Sequence, residues 1–177
     1  MKKKILYLFL ALALPGLIFV FLKFFGRNEF EVPLYFQDGL AKDSICDDSS
    51  KEPYRVQDSV FLKINSKAVR ASRVVAVYPF IKDDLSELTR IANKFQADSV
   101  EVTIVSGMPN LPKSSLPVTQ LSYDAFGWIV TCALRIREPW SVVLIDNQGR
   151  IRGYYDGSRR DEMDRLDLEL SILLRKY

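Results

Sequence analysis

A mixed α/β sheet flanked by helices is the fold this 177-residue chain predicts, and three observations carry it. Two short β-branched runs, residues 73–78 and 100–105, bracket an amphipathic stretch at 85–95. A tight Asp146-Asn147-Gln148-Gly149 turn separates two further apolar runs. The chain then closes on Met163, Leu166, Leu170, Leu173 and Leu174, a stripe at helical spacing.

Composition narrows the function classes first. With 48% hydrophobic and 27% charged residues, the chain has room for one modest domain and a short extra segment, which excludes disorder. Two cysteines exclude a disulfide-dense miniprotein. The absence of histidine removes Ser/His and Cys/His catalysis, His-ligated zinc, haem or copper, and the commonest pH switch. The formal charge of +3 is concentrated at the start: five of the 25 basic residues (Lys2, Lys3, Lys4, Lys23 and Arg27) precede any acid. The rest of the chain sets 20 basic against 22 acidic side chains, a net charge of −2, and has no basic stripe. Nucleic acid is therefore not an expected partner.

The first element is an uncharged run, residues 5–22, led by three lysines and followed by Lys23 and Arg27. Eighteen residues at about 1.5 Å each reach roughly 27 Å, close to the hydrocarbon thickness of a bilayer. The run predicts one N-terminal transmembrane helix in contact with membrane lipid. The lysine excess places the N-terminus in the cytoplasm and the following domain across the inner membrane, on the periplasmic or extracytoplasmic side. Ala11-Leu12-Ala13 formally supplies a signal-cleavage site, but a cut there leaves an apolar terminus, so a retained signal anchor is expected. The domain limits expected are 1–27 for the cytoplasmic tip and anchor, 28–67 for an irregular leading segment, and 68–177 for the folded domain.

Within 28–67, Pro, Gly, Asp and Ser clusters mark turns, with short strands expected at 32–36 and 60–64. Residues 73–78, RVVAVY, suit a central buried strand. Asp84 with Glu87 forms a capping pattern for a helix whose Leu85, Leu88, Ile91, Ala92 and Phe95 share a face. Residues 100–105, VEVTIV, make a second strand, and three prolines in 106–117 make a loop. From Tyr123 a helix is expected, with Phe126, Ile129, Val130 and Ala133 on its apolar side, Trp128 and Cys132 beside them, and Pro139 as its end. A strand at 141–145, the Asp146 turn, a strand at 150–155 and a helix from Ser158 or Asp161 follow. A crossover helix implies parallel strands and a tight turn antiparallel ones. The order βαβ, helix, hairpin, helix is that of a thioredoxin-like domain.

Residues 140–174, WSVVLIDNQGRIRGYYDGSRRDEMDRLDLELSILL, resemble the C-terminal hairpin and helix of the SCO/SenC family, membrane-anchored thioredoxin-like proteins of cytochrome oxidase assembly. VPLYFQDG, residues 32–39, resembles the family's first segment. The resemblance implies a Cys-x-x-x-Cys after the first central strand and a histidine shortly before the hairpin, which together bind copper and exchange electrons. Residues 78–84 contain no cysteine, and Glu138 stands where the histidine is expected. The soft ligands for Cu(I) are missing. The expectation is a degenerate, non-catalytic member acting as a binding or assembly factor, possible partners being a respiratory oxidase or its assembly factors, with no cofactor and no metal.

Cys46 and Cys132, 86 positions apart, are no redox motif. Two readings stay open: one structural disulfide, or a buried Cys132 packed as a small hydrophobe with Cys46 exposed. A thiol-redox enzyme of the envelope using either residue is the alternative function. Glu138-Pro139-Trp140 also has two readings. Thioredoxin-like proteins place a cis-proline before this strand, which would make the three residues a partner cleft with Trp140 as anchor; otherwise Pro139 ends a helix and Trp140 is core. The acids Asp83, Asp84 and those of 156–167 are read as helix caps, and Tyr154-Tyr155-Asp156-Gly157 as a strand end and turn.

Overall fold

The computed structural model describes residues 2–25, 31–42, 45–46, 49–66, 71–78, 80–81, 85–96, 100–110 and 113–176. The chain divides into two compact units, Met1–Glu31 and Val32–Tyr177. The first holds helix α1, Lys2–Phe25, with Pro15 inside it and Lys23 in its last turn. Leu14, Leu17, Ile18, Phe19, Val20 and Phe21 are exposed along it. Among the residues whose side chains are described, no helix is long and apolar enough to cross a membrane. The uninterrupted run 5–22 is a property of the sequence.

The second unit contains α2 (Asp58–Lys63), β1 (Ser72–Tyr78), α3 (Ser86–Lys94), β2 (Val100–Ser106), β3 (Val118–Gln120), α4 (Tyr123–Trp128), β4 (Val142–Ile145), β5 (Ile151–Tyr155) and α5 (Arg160–Lys176). A π-helical turn, Ile129–Ala133, continues α4. The sheet order is β3-β2-β1-β4-β5. β1 runs parallel to β2, from Ser72 opposite Val100 to Tyr78 opposite Ser106. β4 is antiparallel to β1, with Val75 opposite Val143, and β5 is antiparallel to β4. The parallel crossover through α3 followed by an antiparallel hairpin is a thioredoxin-like α/β fold, extended by β3 at one edge.

Continuous apolar strands form because both sheet faces are covered. On one face Val74, Ala76, Ile104, Val142 and Leu144 meet Leu88 and Ile91 of α3 and Met163, Leu166 and Leu170 of α5. On the other, Val75, Val77, Val105, Val143 and Ile145 meet Val60 and Phe61 of α2 and Ile129, Val130 and Ala133 of the π turn. Each fully buried aliphatic side chain contributes about 1.5–3 kcal/mol. The two helices of the first face are also tied by charge: Arg90 Nε meets Glu87 and its Nη2 meets Asp164, both at 2.7 Å.

Several local expectations are corrected. Residues 60–64, expected as a strand, belong largely to α2, since Val60, Phe61 and Ile64 reach the sheet only from a helical turn. Residues 32–36 are no strand; Tyr35 and Phe36 enter a turn with Phe36 at φ 56°. α3 is preceded by Leu85 at the N-cap position, with no side-chain cap, and Asp83 and Asp84 lie outside the described residues. The proline-rich loop ends in the unexpected β3. The helix from Tyr123 stops at Leu134, well before Pro139, and Trp128 points outward, 47% exposed.

Candidate functional site

Strand register fixes the surroundings of Glu138, Pro139 and Trp140. Val77 N–H donates to Ser141 O at 2.8 Å, and Gly157 N–H donates to Ser141 Oγ at 2.9 Å. The residues leading into β4 therefore stand at the same sheet end as the segment that follows β1. The Glu138–Pro139 bond is cis. Pro139 does not end a helix: it sits in a turn closed by Trp140 N–H donating to Arg137 O at 3.0 Å. Glu138 and Pro139 are exposed, and Trp140 is half-buried rather than core. Pro79, Lys82, Asp83 and Asp84 lie outside the described residues, so their approach to Pro139 is not described.

Trp140 lines a groove of about 840 Å³. Its aromatic side is Tyr35, Phe36, Trp140 and Tyr154, with Tyr35 set edge-on to Tyr154 at 5.1 Å between centroids. Residues 39–42 also line it, and Lys42, Arg135 and Arg137 add three positive charges. No acid is among the described lining residues; Asp43, Asp47 and Asp48 of the same loop lie outside the described residues.

Two tyrosines end the π turn, and one of them, Tyr154, lines the groove. The turn is marked by Leu134 N–H donating to Ile129 O at 2.8 Å, five residues back. Arg135 then adopts φ 55°, so the last carbonyls lose helical partners. Tyr54 Oη donates to Ala133 O at 2.8 Å and Tyr154 Oη to Leu134 O at 2.9 Å. Burial, reinforced by Tyr54 and Tyr35, raises the Tyr154 hydroxyl far above its ordinary range. It stays a neutral donor. Arg135 lies over the Tyr54 ring at 5.6 Å, a cation–π arrangement.

Cys46 and Cys132 are bonded to each other, with Cα atoms 5.4 Å apart. Leu40 and Ser50 exchange backbone hydrogen bonds of 2.8 and 3.2 Å, closing the loop between them. The bond thus ties this closed loop, which supplies the groove wall at 39–42, to the turn immediately before Arg135. The reading of Cys132 as a lone packed hydrophobe does not describe this structure. Among the described residues no group of three or more His, Cys, Asp or Glu could hold a metal.

At the far end of the hairpin, the Asp146 carboxylate is buried and accepts from Gln148 and Arg150 N–H, both at 2.9 Å, and from Arg150 Nε at 2.7 Å. Gly149, at φ 78°, completes this turn, which is structural. Tyr35, Phe36, Tyr54 and Arg135 escaped the sequence reading. The Phe36-Gln37-Asp38-Gly39 turn signal was present, but it does not say which surface the aromatics meet.

No protein-family model and no curated protein matches the chain. Among solved structures it is similar to an SCO1/SenC family lipoprotein from Bacillus anthracis strain Ames, at 15% identity and a TM-score of 0.47, covering 70% of this chain and 88% of that one. It is also similar to BsSco, a member of the Sco family of cytochrome c oxidase assembly proteins, at 11% identity and a TM-score of 0.48, covering 83% and 98%. A third is the bacterioferritin comigratory protein of Xanthomonas campestris, at 10% identity and a TM-score of 0.43, covering 79% and 94%. The thioredoxin-like description rests on this chain's own strand order and crossover.

Proposed function

We propose that this chain is an SCO-like, membrane-anchored envelope protein that works without catalysis, as a binding or assembly factor in cytochrome c oxidase biogenesis. One observation carries the non-catalytic part: both cysteines are consumed in the Cys46–Cys132 bond, and the sequence after β1 offers no thiol. A dithiol enzyme needs a thiolate activated at a helix N-terminus or by a partner cysteine close in sequence. The resemblance of residues 140–174 and of VPLYFQDG supports the assembly role. The anchor is supported by the uncharged run 5–22 within α1 and by the exposed apolar side chains along it. A disulfide suits an oxidising compartment beyond the membrane.

The test is purification of the tagged full-length chain from detergent-solubilised membranes, with co-purifying oxidase read by its haem absorbance. Oxidase haem in the eluate is expected, and its absence at full recovery of the chain overturns the assembly role. Recovery of the chain in the soluble fraction would overturn the anchor.

A second reading, a thiol-redox enzyme of the envelope, draws on the same disulfide. Insulin reduction separates the two. The uncatalysed rate is expected; turnover lost on Cys46→Ser or Cys132→Ser would establish the enzyme.

A further inference from the structure

We propose that the Cys46–Cys132 bond is a thiol-exchange site, opened in the folded protein by a dithiol protein that attacks Cys46 Sγ. The chain is then the substrate of an exchange and not its catalyst, which goes beyond the binding role. Access comes first. Cys46 is partly exposed, on a turn outside any helix or strand, and Ile45 beside it is 69% exposed. Cys132 is 6% exposed within the π turn. A thiolate must approach the sulfur it attacks, so access directs it to Cys46 and makes Cys132 the leaving sulfur. An apolar side chain next to the reacting sulfur suits contact with a protein surface rather than with a small thiol.

The fold also stands without the bond. Among the described residues, the two apolar clusters that cover the sheet contain neither cysteine. The turn that carries Cys132 is held independently, by Leu134 N–H on Ile129 O at 2.8 Å, Ile136 N–H on Val130 O at 2.9 Å, and the Tyr54 and Tyr154 hydroxyls. Opening the bond therefore requires neither the sheet nor the turn to unfold, and accessible disulfides are the labile ones. In the first step the partner's thiolate bonds to Cys46 Sγ as the Cys46–Cys132 bond breaks. Cys132 Sγ leaves with the electron pair and takes up a proton. The partner's second thiol gives up its proton, attacks its own sulfur in the mixed disulfide, and releases Cys46, which is protonated in turn. Two electrons pass, and the partner ends as a disulfide. The tie between the loop and the turn is then lost, so the partner's redox state reaches residues 39–42, which line the groove with Trp140.

Full-length protein in nonionic detergent, without denaturant, is incubated with a thioredoxin whose resolving cysteine is replaced by serine, which stops the reaction at the mixed disulfide. Peptide mass spectrometry is expected to place the adduct on Cys46, at least about tenfold over Cys132, with Cys132 as a free thiol. Urea below the unfolding transition should change the rate by less than about twofold, because the attack needs no unfolding. Ile45→Ser should slow the thioredoxin adduct at least about threefold and leave reduction by dithiothreitol within about twofold. No adduct without denaturant, equal labelling of both cysteines, or a rate that rises with urea in step with unfolding would overturn the proposal. An Ile45→Ser variant that treats thioredoxin and dithiothreitol alike would overturn the choice of a protein as the reductant.

Discussion

Gly153 and Tyr155 lie two residues apart on β5, and the Tyr155 ring folds back over Gly153 so closely that a Cβ there would sit 2.6 Å from Cζ. This approach lets the fully buried ring send its hydroxyl to Glu169 Oε2 at 2.5 Å, linking β5 to α5. Arg165 covers the same ring at 4.7 Å and donates to Tyr154 O at 2.6 Å. A side chain at 153 must displace the ring and break this junction.

Gly153→Ala is therefore expected to cost about 1–3 kcal/mol, the range for overpacking a tight core. Urea unfolding would measure it. Combined with Tyr155→Phe, which removes the nearest clashing atom, the cost should fall below the sum of the two single changes. Strict additivity would mean that the ring does not obstruct position 153.

Alkaline stability follows from two buried hydroxyls. Burial raises both Tyr154 and Tyr155 above the ordinary value of 10.0, with Glu169 adding to the rise at Tyr155. Above about pH 10 the unfolded chain loses these protons while the folded chain keeps them, so folding stability falls as pH rises. Below pH 10 the contribution is fully present. Each tyrosine should add a slope of about 1.4 kcal/mol per pH unit. Unfolding curves between pH 9 and 11.5 should show a shallower decline in Tyr155→Phe than in the parent, and equal slopes would contradict the assignment.

What the sequence could tell was set by how local each signal is. Residues 73–78 and 100–105 read as strands because both sheet faces demand apolar residues, and the Asp146 turn carries its own chemistry in four residues. Residues 60–64 misled because five apolar-rich residues fit either period, and only packing on Val75 and Val77 decides for helix. The helix end at Leu134 was invisible for a similar reason. Its carbonyl partners, Tyr54 and Tyr154, come from chain positions 80 residues before and 20 after. At the site, Trp140 was legible beside Pro139, whereas the aromatics facing it arrive from the leading segment through a turn and a disulfide.

Tyr54→Phe tests that helix end directly. Removing Oη leaves Ala133 O without its 2.8 Å partner in a partly buried position, which should cost about 1–3 kcal/mol. Hydrogen exchange at Leu134 N–H, the turn's own donor, should accelerate in step with the loss. Protection unchanged from the parent would show that the turn does not depend on the tyrosine.

The Cys46–Cys132 bond gives the largest expected effect. It spans 86 residues, and in the chain-entropy picture closing a loop of that length restricts the unfolded chain by on the order of 4 kcal/mol. Reduction should therefore lower the urea midpoint strongly, and the Cys46→Ser/Cys132→Ser variant should match the reduced protein. The same treatment should affect the groove differently from the sheet. Once the bond is cut, the described backbone bonds of residues 39–42 are Gly39 N–H to Phe36 O and the Leu40–Ser50 pairing, while β1, β2, β4 and β5 retain their ladders. Under conditions where the reduced protein is still folded by circular dichroism, Trp140 emission should shift toward that of an exposed indole. A midpoint insensitive to reduction would mean that the bond constrains little of the unfolded chain, and an unchanged Trp140 spectrum would show that the loop holds its place without it.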